Sequence, residues 1–161
     1  MDWLFERAKS TVELYLQRDT PDFIGTASGP IALGAMEAVM EVGLKPGRDI
    51  KFAGVGWFQD VLDAVENGQM TLTYGGYFIS GAWARTVLRD DADNIRHENA
   101  GEIEAPLFGV DEESITEFQH LVGDLDWTDV DFSSFLRTRT GKSRYDFSRS
   151  AIFAAIQDGG V

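Results

Sequence analysis

Between residues 22 and 77, short apolar runs alternate with segments whose apolar residues recur at helical spacing. This alternation is typical of β-α-β units, in which helices connect the strands of a parallel sheet. Three of the apolar runs end in small residues, at Ala27-Ser28-Gly29, Gly54-Val55-Gly56 and Gly75-Gly76. The carboxyl ends of parallel strands meet at one edge of a sheet, and open α/β sheets bind ligands there. The pattern therefore predicts a small-molecule binding site.

The apolar periodicity predicts strands and helices that follow one another along the chain. Predicted strands cover residues 23–27, 50–55, 69–74 and 103–108. Pro106 weakens the last of them, because proline cannot donate to a sheet ladder. Predicted helices cover residues 2–17, 28–43, 59–67, 78–88 and 115–122, followed by a short helix after Ser148. This order predicts an α/β fold, a Rossmann-like three-layer αβα sandwich with a mostly parallel sheet.

A few residues are expected to shape the helices locally. Ser28 suits the N-cap of the second helix, and Asp60 suits the N-cap of the third. Ser114 and Glu117 match a capping box ahead of the helix at 115–122. Gly34 lies inside the second helix, where glycine costs about 1 kcal/mol relative to alanine, so we expect it to permit a close approach to the sheet.

The chain of 161 residues is long enough for one domain or two small ones. We predict a single lobe over residues 1–161, with its core at 20–122 and an irregular wrapping tail at 123–161 that ends in a short helix. Aromatic rings are expected to pin this tail, namely Trp127, Phe132, Phe135, Tyr145 and Phe147.

The net charge of −13 argues against affinity for nucleic acid, because phosphates would be repelled. The acidic stretches at 90–104, 111–117 and 124–131 are interpreted as a solvated face. The one basic stretch, from Arg137 to Arg149, is expected to pair with that acidic surface rather than with an external polyanion.

Several classes of chemistry find no support in the sequence. The absence of cysteine excludes disulfides and thiolate metal sites. His97 and His120 form no metal-ligand pattern and are expected at the surface. No nucleophile elbow, phosphate loop or dinucleotide fingerprint occurs. These observations predict a protein that is not an enzyme and has no cofactor or metal.

The sequence also bears on the compartment of the protein. No apolar run is long enough to span a membrane. The first residues lack the basic start and apolar stretch of a secretory signal, so we expect either a cytosolic protein or a chain that starts downstream of a removed signal.

Four segments occur in an order that is more specific than any of them alone. They read Ala27-Ser28-Gly29-Pro30-Ile31-Ala32-Leu33-Gly34-Ala35, Val55-Gly56-Trp57-Phe58, Glu66-Asn67-Gly68-Gln69-Met70-Thr71-Leu72-Thr73 and Gly75-Gly76-Tyr77-Phe78-Ile79-Ser80-Gly81-Ala82-Trp83. Together they resemble the C-terminal lobe of type I periplasmic solute-binding proteins, the sugar receptors of ABC transporters. The effector domains of LacI-type repressors share this fold.

The resemblance implies a ligand site at the strand exits, formed by Ser28, Gly29, Trp57, Phe58, Gln59, Asp60, Tyr74 and Tyr77. Sugar-binding members usually carry Asn-Asp where this chain has Ser28 and Gly29, and Asp where it has Phe58. Such side chains hold sugar hydroxyls through paired hydrogen bonds. Here they are absent, and Gln59 and Asp60 lie next in line for the role.

Structural interpretations of these residues stay open beside the functional one. On the functional interpretation, Trp57 and Phe58 form an aromatic platform for a ligand, and on the structural one they pack within the lobe. Ser28 and Asp60 either bind a ligand or cap helices. Tyr77 reaches into a cleft or packs in the core.

The resemblance also implies partners. Family members close two lobes on a ligand, whereas this chain has sequence for one, so we expect a truncated chain or fragment that binds weakly by itself. We expect the exposed inter-lobe face to be covered by self-association into a homo-oligomer. The implied function is that of a periplasmic receptor for a sugar or related small polar solute, read by a transporter permease or a sensor. The alternative is a ligand-sensing or protein-interaction module, such as a transcriptional effector domain, without a transport role.

Overall fold

The computed structural model describes residues 2–95, 104, 106–123 and 125–158. These residues form two compact units. The first contains Met1–Gly75 and Gly109–Phe118, and the second contains Gly76–Phe108 and Gln119–Val161. The single lobe with a core at 20–122 and a tail at 123–161 stays a prediction.

The first unit is built on a four-stranded sheet with the strand order β1-β2-β3-β4. Its strands are β1 (Phe23–Gly25), β2 (Lys51–Val55), β3 (Leu72–Gly75) and β4 (Phe108–Asp111). Its helices are α1 (Asp2–Leu16), α2 (Gly29–Glu41) and α3 (Gln59–Glu66), and α5 (Ile115–Val122) begins in it. The predicted α/β class and the alternating order of elements are confirmed.

The pairing of β1 with β2 and of β2 with β3 is parallel, as predicted. Ile24 lies beside Phe52, and Val55 lies beside Tyr74. The core of this unit is formed by fully buried side chains of α2, β2 and α3 and of the turn before β3, namely Val39, Phe52, Val61, Val65 and Met70.

The fourth strand was predicted in the wrong place. The prediction put it at 103–108, whereas β4 occupies Phe108–Asp111. Pro106 precedes the strand and is exposed, which suits a residue without a backbone N–H to donate. Residues 103 and 105 of the predicted segment lie outside the described residues.

Gly34 permits a close approach, but to α1 and not to the sheet as predicted. A Cβ atom at Gly34 would lie 2.3 Å from the carbonyl oxygen of Phe5. The same two helices are joined by Lys9, whose ammonium group lies 2.7 Å from the carboxylate of Glu37 and 2.6 Å from that of Glu41. The hydrogen bonds that Lys9 donates to these carboxylates, first the one to Glu37 and then the one to Glu41, raise the pKa of Lys9.

The Gly34→Ala variant is therefore expected to be less stable by about 2 kcal/mol, although alanine favours a helix. The added methyl group must push α1 off α2, and overpacking of this kind costs about 1–3 kcal/mol. The variant Gly81→Ala is the matched control, because a Cβ at Gly81 of another helix meets nothing within 4 Å. Urea unfolding should show a loss only for Gly34→Ala, and equal stabilities would contradict the close contact.

The second unit contains a 3-10 turn (Tyr77–Ile79), α4 (Ser80–Ala92), a second 3-10 turn (Phe132–Phe135), α6 (Arg137–Thr140) and α7 (Arg149–Asp158). Its centre is Trp83, which is 3% exposed. Three rings surround this indole, at centroid distances of 5.5 Å for Phe132, 4.8 Å for Phe135 and 4.3 Å for Phe147. Aromatic residues of 123–148 thus pack inside this unit.

Asp90 is a fully buried carboxylate at the end of α4. It accepts hydrogen bonds from the backbone N–H of Arg137 at 2.7 Å and of Thr138 at 3.3 Å, which begin α6. It also accepts from Thr138 Oγ1 and from the phenol of Tyr145, both at 3.0 Å. Burial acts to raise the pKa of Asp90, but these hydrogen bonds outweigh it and lower the pKa.

Local helix signals were partly misassigned. Ser114 precedes α5, but it exchanges hydrogen bonds with Asp111 and not with Glu117. The N–H of each donates at 3.0 Å to the other's side chain. Ser148 caps α7 as predicted, because its hydroxyl accepts from the N–H of Ala151 at 3.3 Å.

The basic stretch pairs with nearby acids, as predicted. Arg139 lies 3.3 Å from Asp131, and Lys142 lies 3.7 Å from Asp146. Within the described ranges, no helix has the length and hydropathy to cross a membrane.

Candidate functional site

Three strand ends of the first unit meet at one edge of the sheet, because β1, β2 and β3 run in the same direction. The residues that follow them are Ser28 and Gly29, then Gly56 to Phe58, with Tyr74 and Gly75 at the end of β3 itself. We call this edge the rim. The predicted convergence of three small-residue corners is confirmed, and it brings together sequence positions almost fifty residues apart.

The first corner of the rim carries a buried hydroxyl. Ser28 occupies the N-cap position of α2 with an extended backbone, as predicted, but its side chain makes no capping hydrogen bond. Its Oγ is buried and has no hydrogen-bond partner among the described residues. The hydroxyl of Thr26 holds the corner instead, since it donates to the carbonyls of Ala53 at 3.3 Å and Ser28 at 3.4 Å.

The second corner presents the ring of Phe58. A Cβ at Gly29 would lie 2.8 Å from this ring, and a Cβ at Gly56 would lie 2.7 Å from it. Gly56 also has a φ of +123°, a conformation that favours glycine. The two glycines therefore make room for Phe58, which nevertheless remains 48% exposed.

Trp57 turns the other way and packs within the first unit. A Cβ at Gly75 would come within 2.5 Å of its indole, and Phe118 meets it edge-on at a centroid distance of 4.6 Å. The neighbouring backbone is secured by Thr73, whose buried hydroxyl donates to the carbonyl of Gly56 at 2.9 Å. Trp57 is thus less exposed than Phe58, whose ring projects.

The polar side chains at the rim are those of Gln59 and Asp60, both exposed in the first turn of α3. Gln59 Nε2 donates to Asp63 at 2.7 Å. The N-cap residue of α3 is Phe58, so the interpretation of Asp60 as the cap was wrong. Asp60 instead lies inside the first turn, where a carboxylate is favoured by the helix dipole.

The two tyrosines belong to different units. Tyr74 lies in β3 and is 44% exposed, so its ring is available at the rim. Tyr77 lies in the second unit, after Gly76 with a left-handed φ of 92°, and its ring meets Phe78 at 6.2 Å. The ligand role of Tyr77 stays a prediction, as do those of the other seven residues.

Other parts of the described chain offer no competing metal or histidine site. The ranges that the structure describes hold no cluster of three acidic or histidine side chains able to bind a metal. His120 is exposed, as predicted, and His97 lies outside the described residues. Open cavities of about 380 and 470 Å³ lie within the second unit and are lined by none of the rim residues.

Three polar residues with structural importance were not identified from the sequence. Thr26 and Thr73 tie the corners together, but a threonine in a strand is common and gives no signal. Asp90 did give a signal in the sequence, because it falls on the buried stripe of its helix, at helical spacing from Trp83 and Thr86.

Comparison with known proteins bears on the fold. No family model matches this chain, and no curated protein matches it. Among solved structures, a periplasmic sugar-binding protein from Pseudomonas fluorescens is 28% identical with a TM-score of 0.78, and the match covers 91% of this chain and 46% of that one. A periplasmic ribose ABC transporter protein from Conexibacter woesei is 23% identical with a TM-score of 0.62, covering 72% of this chain and 39% of that one.

A third similar structure is the periplasmic binding protein component of an arabinose ABC transporter from a Shewanella species, bound to arabinofuranose. It is 22% identical with a TM-score of 0.58, covering 72% of this chain and 39% of that one. The resemblance drawn from the sequence is confirmed at the level of fold. The chain spans less than half the length of these neighbours.

Proposed function

We propose that this chain, which has the fold of one lobe of a type I periplasmic solute-binding protein, forms one wall of a binding site for a sugar or a related small polar solute. The observation that supports this most is the rim, where three parallel strands end together beside an exposed ring. Open α/β sheets bind ligands at this edge. The similar structures named above are binding proteins or transporter components, which favours a function other than catalysis.

The residues of the rim supply two kinds of contact to such a solute. Phe58 offers a half-exposed ring against which the C–H face of a sugar stacks. Gln59 and Asp60 offer amide and carboxylate groups for hydroxyls, and the buried Oγ of Ser28 offers one more hydrogen bond. Trp57 supports the site from behind, since it packs against Gly75 and Phe118.

One wall gives only part of the contacts of a cleft. Binding costs translational and rotational freedom, and a single wall offers fewer interactions than a closed cleft to compensate for this loss. We therefore expect a dissociation constant of about 1 mM for the chain alone. A second lobe that closes over the rim would strengthen binding. The setting proposed for such a two-lobed receptor is the periplasm, with a transporter permease as the partner that reads the bound state.

The first test is a sugar titration of the isotope-labelled chain by NMR. D-ribose, L-arabinose and D-allose are suitable probes, at concentrations up to tens of millimolar. Saturable shifts of the backbone amides of residues 28–29 and 56–60 would support the proposal. Shifts confined to other regions, or the absence of saturable shifts with any small polar solute, would contradict it.

The variant Phe58→Ala is expected to weaken binding about tenfold, the loss of one stacking contact worth about 1.4 kcal/mol. Tyr15→Ala is the matched control, because Tyr15 is an aromatic residue of the same unit with a similar exposure of 51%. Both variants should keep the wild-type dispersion of amide signals. An equal loss in both variants would show that the ring at the rim has no special role.

A further inference from the structure

The second unit holds an open cavity that is formed entirely by residues between 131 and 155. We call it the tail cavity. Its volume is about 380 Å³, which lies within the range of small-molecule sites, about 300–1,000 Å³. Its apolar lining is the ring of Phe135 and three alanines of α7, and the rest is polar and includes four charged side chains, those of Asp131, Lys142, Arg144 and Asp146. An apolar surface beside a few charged groups is typical of a ligand site.

The two carboxylates of the tail cavity already have partners. Asp131 accepts hydrogen bonds from the N–H of Ser133 at 3.0 Å and from its hydroxyl, and it pairs with Arg139 at 3.3 Å. Asp146 accepts from the N–H of Ser148 at 3.3 Å and from its hydroxyl at 2.7 Å. The hydrogen bonds from these hydroxyls are the first cause of a lowered pKa at both carboxyl groups. Both groups are therefore paired anions that require no donor from a ligand.

The donors of the tail cavity lack acceptors. Arg144 makes no hydrogen bond or ion pair with any residue that the structure describes, although a guanidinium has five N–H donors. The ammonium group of Lys142 lies 3.7 Å from the carboxylate of Asp146, which is longer than a hydrogen bond. The hydroxyl of Thr140 accepts from the N–H of Lys142 at 3.3 Å, so its own proton can be donated elsewhere. The group that the cavity lacks is an acceptor.

The charge near the tail cavity favours an anionic acceptor. Together with Arg139, which pairs with Asp131, the cavity and its edge carry three cations against two carboxylates. The segment 137–144 contains four basic residues and no acidic one, within a chain whose net charge is −13. A local excess of positive charge attracts an anion that the rest of the surface would repel.

We propose that the tail cavity binds a small organic carboxylate with an apolar body of about the size of benzoate or hexanoate. The guanidinium of Arg144 donates to the two oxygens of the carboxylate, a pairing whose planar geometry arginine matches. Lys142 and Thr140 supply further donors. The apolar body covers Phe135 and the alanines of α7 and is thereby removed from water. An amine is a poorer occupant, because the carboxylates of the cavity are already paired.

This site is separate from the proposed sugar site. None of the rim residues lines the tail cavity, and the rim lies in the other unit except for Tyr77. The Phe58→Ala variant should leave carboxylate binding unchanged. Failure of sugar binding and failure of carboxylate binding are therefore separable results.

The first experiment is a titration of the isotope-labelled chain with benzoate, hexanoate and benzamide, followed by NMR. Benzamide has nearly the shape of benzoate but no charge. Both carboxylates are expected to give saturable shifts of the amides of residues 134–135, 140–146 and 151–155, with dissociation constants of about 1 mM. Benzamide should bind at least tenfold more weakly. Equal binding of benzamide and benzoate, or no saturable shift of these amides with either carboxylate, would overturn the proposal.

The variant Arg144→Gln tests the residue assigned to the carboxylate. Because Arg144 is exposed and unpaired among the described residues, its replacement should not disturb the fold. Binding of benzoate is expected to weaken about tenfold. Arg85→Gln is the matched control, since Arg85 is an exposed arginine of the same unit that does not line this cavity. An equal loss in both variants would mean that the carboxylate responds to general surface charge and would contradict the site.

The variant Ala154→Leu tests the apolar part of the cavity. Ala154 is an exposed residue of α7, and leucine is a good helix former, so the variant should fold while its side chain occupies space in the cavity. Binding of benzoate and hexanoate is expected to weaken at least fivefold. Ala84→Leu, an exposed position of α4 outside this cavity, is the control and should change nothing. Unchanged binding by Ala154→Leu would place the carboxylate elsewhere and overturn the proposal.

Discussion

Replacing Trp83 with alanine is expected to destabilise the second unit by about 4 kcal/mol, the loss typical of a large buried aromatic residue. Trp83 is the shared neighbour of Phe132, Phe135 and Phe147, and its ring stacks on Phe147 with an interplanar angle of 16°. Its removal leaves a cavity and separates α4 from two later parts of the chain, the 3-10 turn at Phe132–Phe135 and the segment at Phe147. The rings would then have no common surface on which to pack.

Native-state hydrogen exchange is the appropriate measurement, because it reports opening of each unit by itself. Protection of the amides in α4 and α7 should fall by about a thousandfold, which corresponds to about 4 kcal/mol. Leu88→Ala is the control in the same helix, since Leu88 is 69% exposed, and it should change protection little. A similar loss in both variants would mean that the ring cluster does not hold this unit together.

Replacing Asp90 with asparagine is expected to cost the second unit about 3 kcal/mol. Both carboxylate oxygens accept from donors. Oδ2 accepts from the N–H of Arg137 and the phenol of Tyr145, and Oδ1 accepts from the N–H and hydroxyl of Thr138. An asparagine has only one accepting oxygen, and its NH₂ group would face a backbone N–H at the start of α6. A tyrosine hydroxyl can rotate to accept a hydrogen bond, whereas a backbone N–H cannot.

The difference in unfolding free energy between wild type and Asp90→Asn should also depend on pH. The pKa of Asp90 is lower in the folded protein than its ordinary value of 3.8, so its stabilising effect is complete above that value. It is lost as the pH falls through the lowered pKa of the folded state. Burial and the hydrogen bond to Asp90 raise the pKa of Tyr145 from 10.0 to about 12. The stabilisation that comes from the hydrogen bond between Tyr145 and Asp90 is therefore lost as the pH rises through about 12.

Asp91→Asn is the matched control for Asp90, because Asp91 is its exposed neighbour. It should change stability by less than about 0.5 kcal/mol, as surface substitutions usually do. Hydrogen exchange of α4 and α6 at neutral pH would measure both variants, and unfolding curves between pH 3 and pH 7 would test the acid limb. A wild-type advantage that grows toward low pH would contradict the assignment of Asp90 as a buried anion.

The parallel sheet and its rim were predictable because they depend on local chain properties. Apolar runs begin near Phe23, Phe52 and Leu72, and each is followed by small residues. Both signals can be recognised in the local sequence without knowledge of distant contacts. The position of β4 was not predictable. The apolar residues before Phe108 gave a strand signal, but the strand next to β3 in the sheet begins only at Phe108, and a neighbour in the sheet is not visible in a local pattern.

The same distinction applies to single residues of the rim. Ser28 stands at the N-cap of α2, as its type predicts, but its hydroxyl makes no cap bond. Phe58 takes the N-cap position of α3 in place of Asp60. Capping preferences are worth about 1 kcal/mol, and packing of a phenyl ring against two glycines is of at least the same size. Preferences of this size are easily overruled by tertiary contacts.

The sequence by itself determined the alternating order of strands and helices, the parallel sense of the sheet and the edge at which three strands end together, because periodicity and small-residue corners act over a few neighbouring positions. The tertiary structure alone decided which surfaces Gly34 brings together, which rim ring projects and that Asp90 is buried as an anion. These features depend on groups far apart in the chain, whose meeting is specified by the packing of the whole unit and by no local pattern.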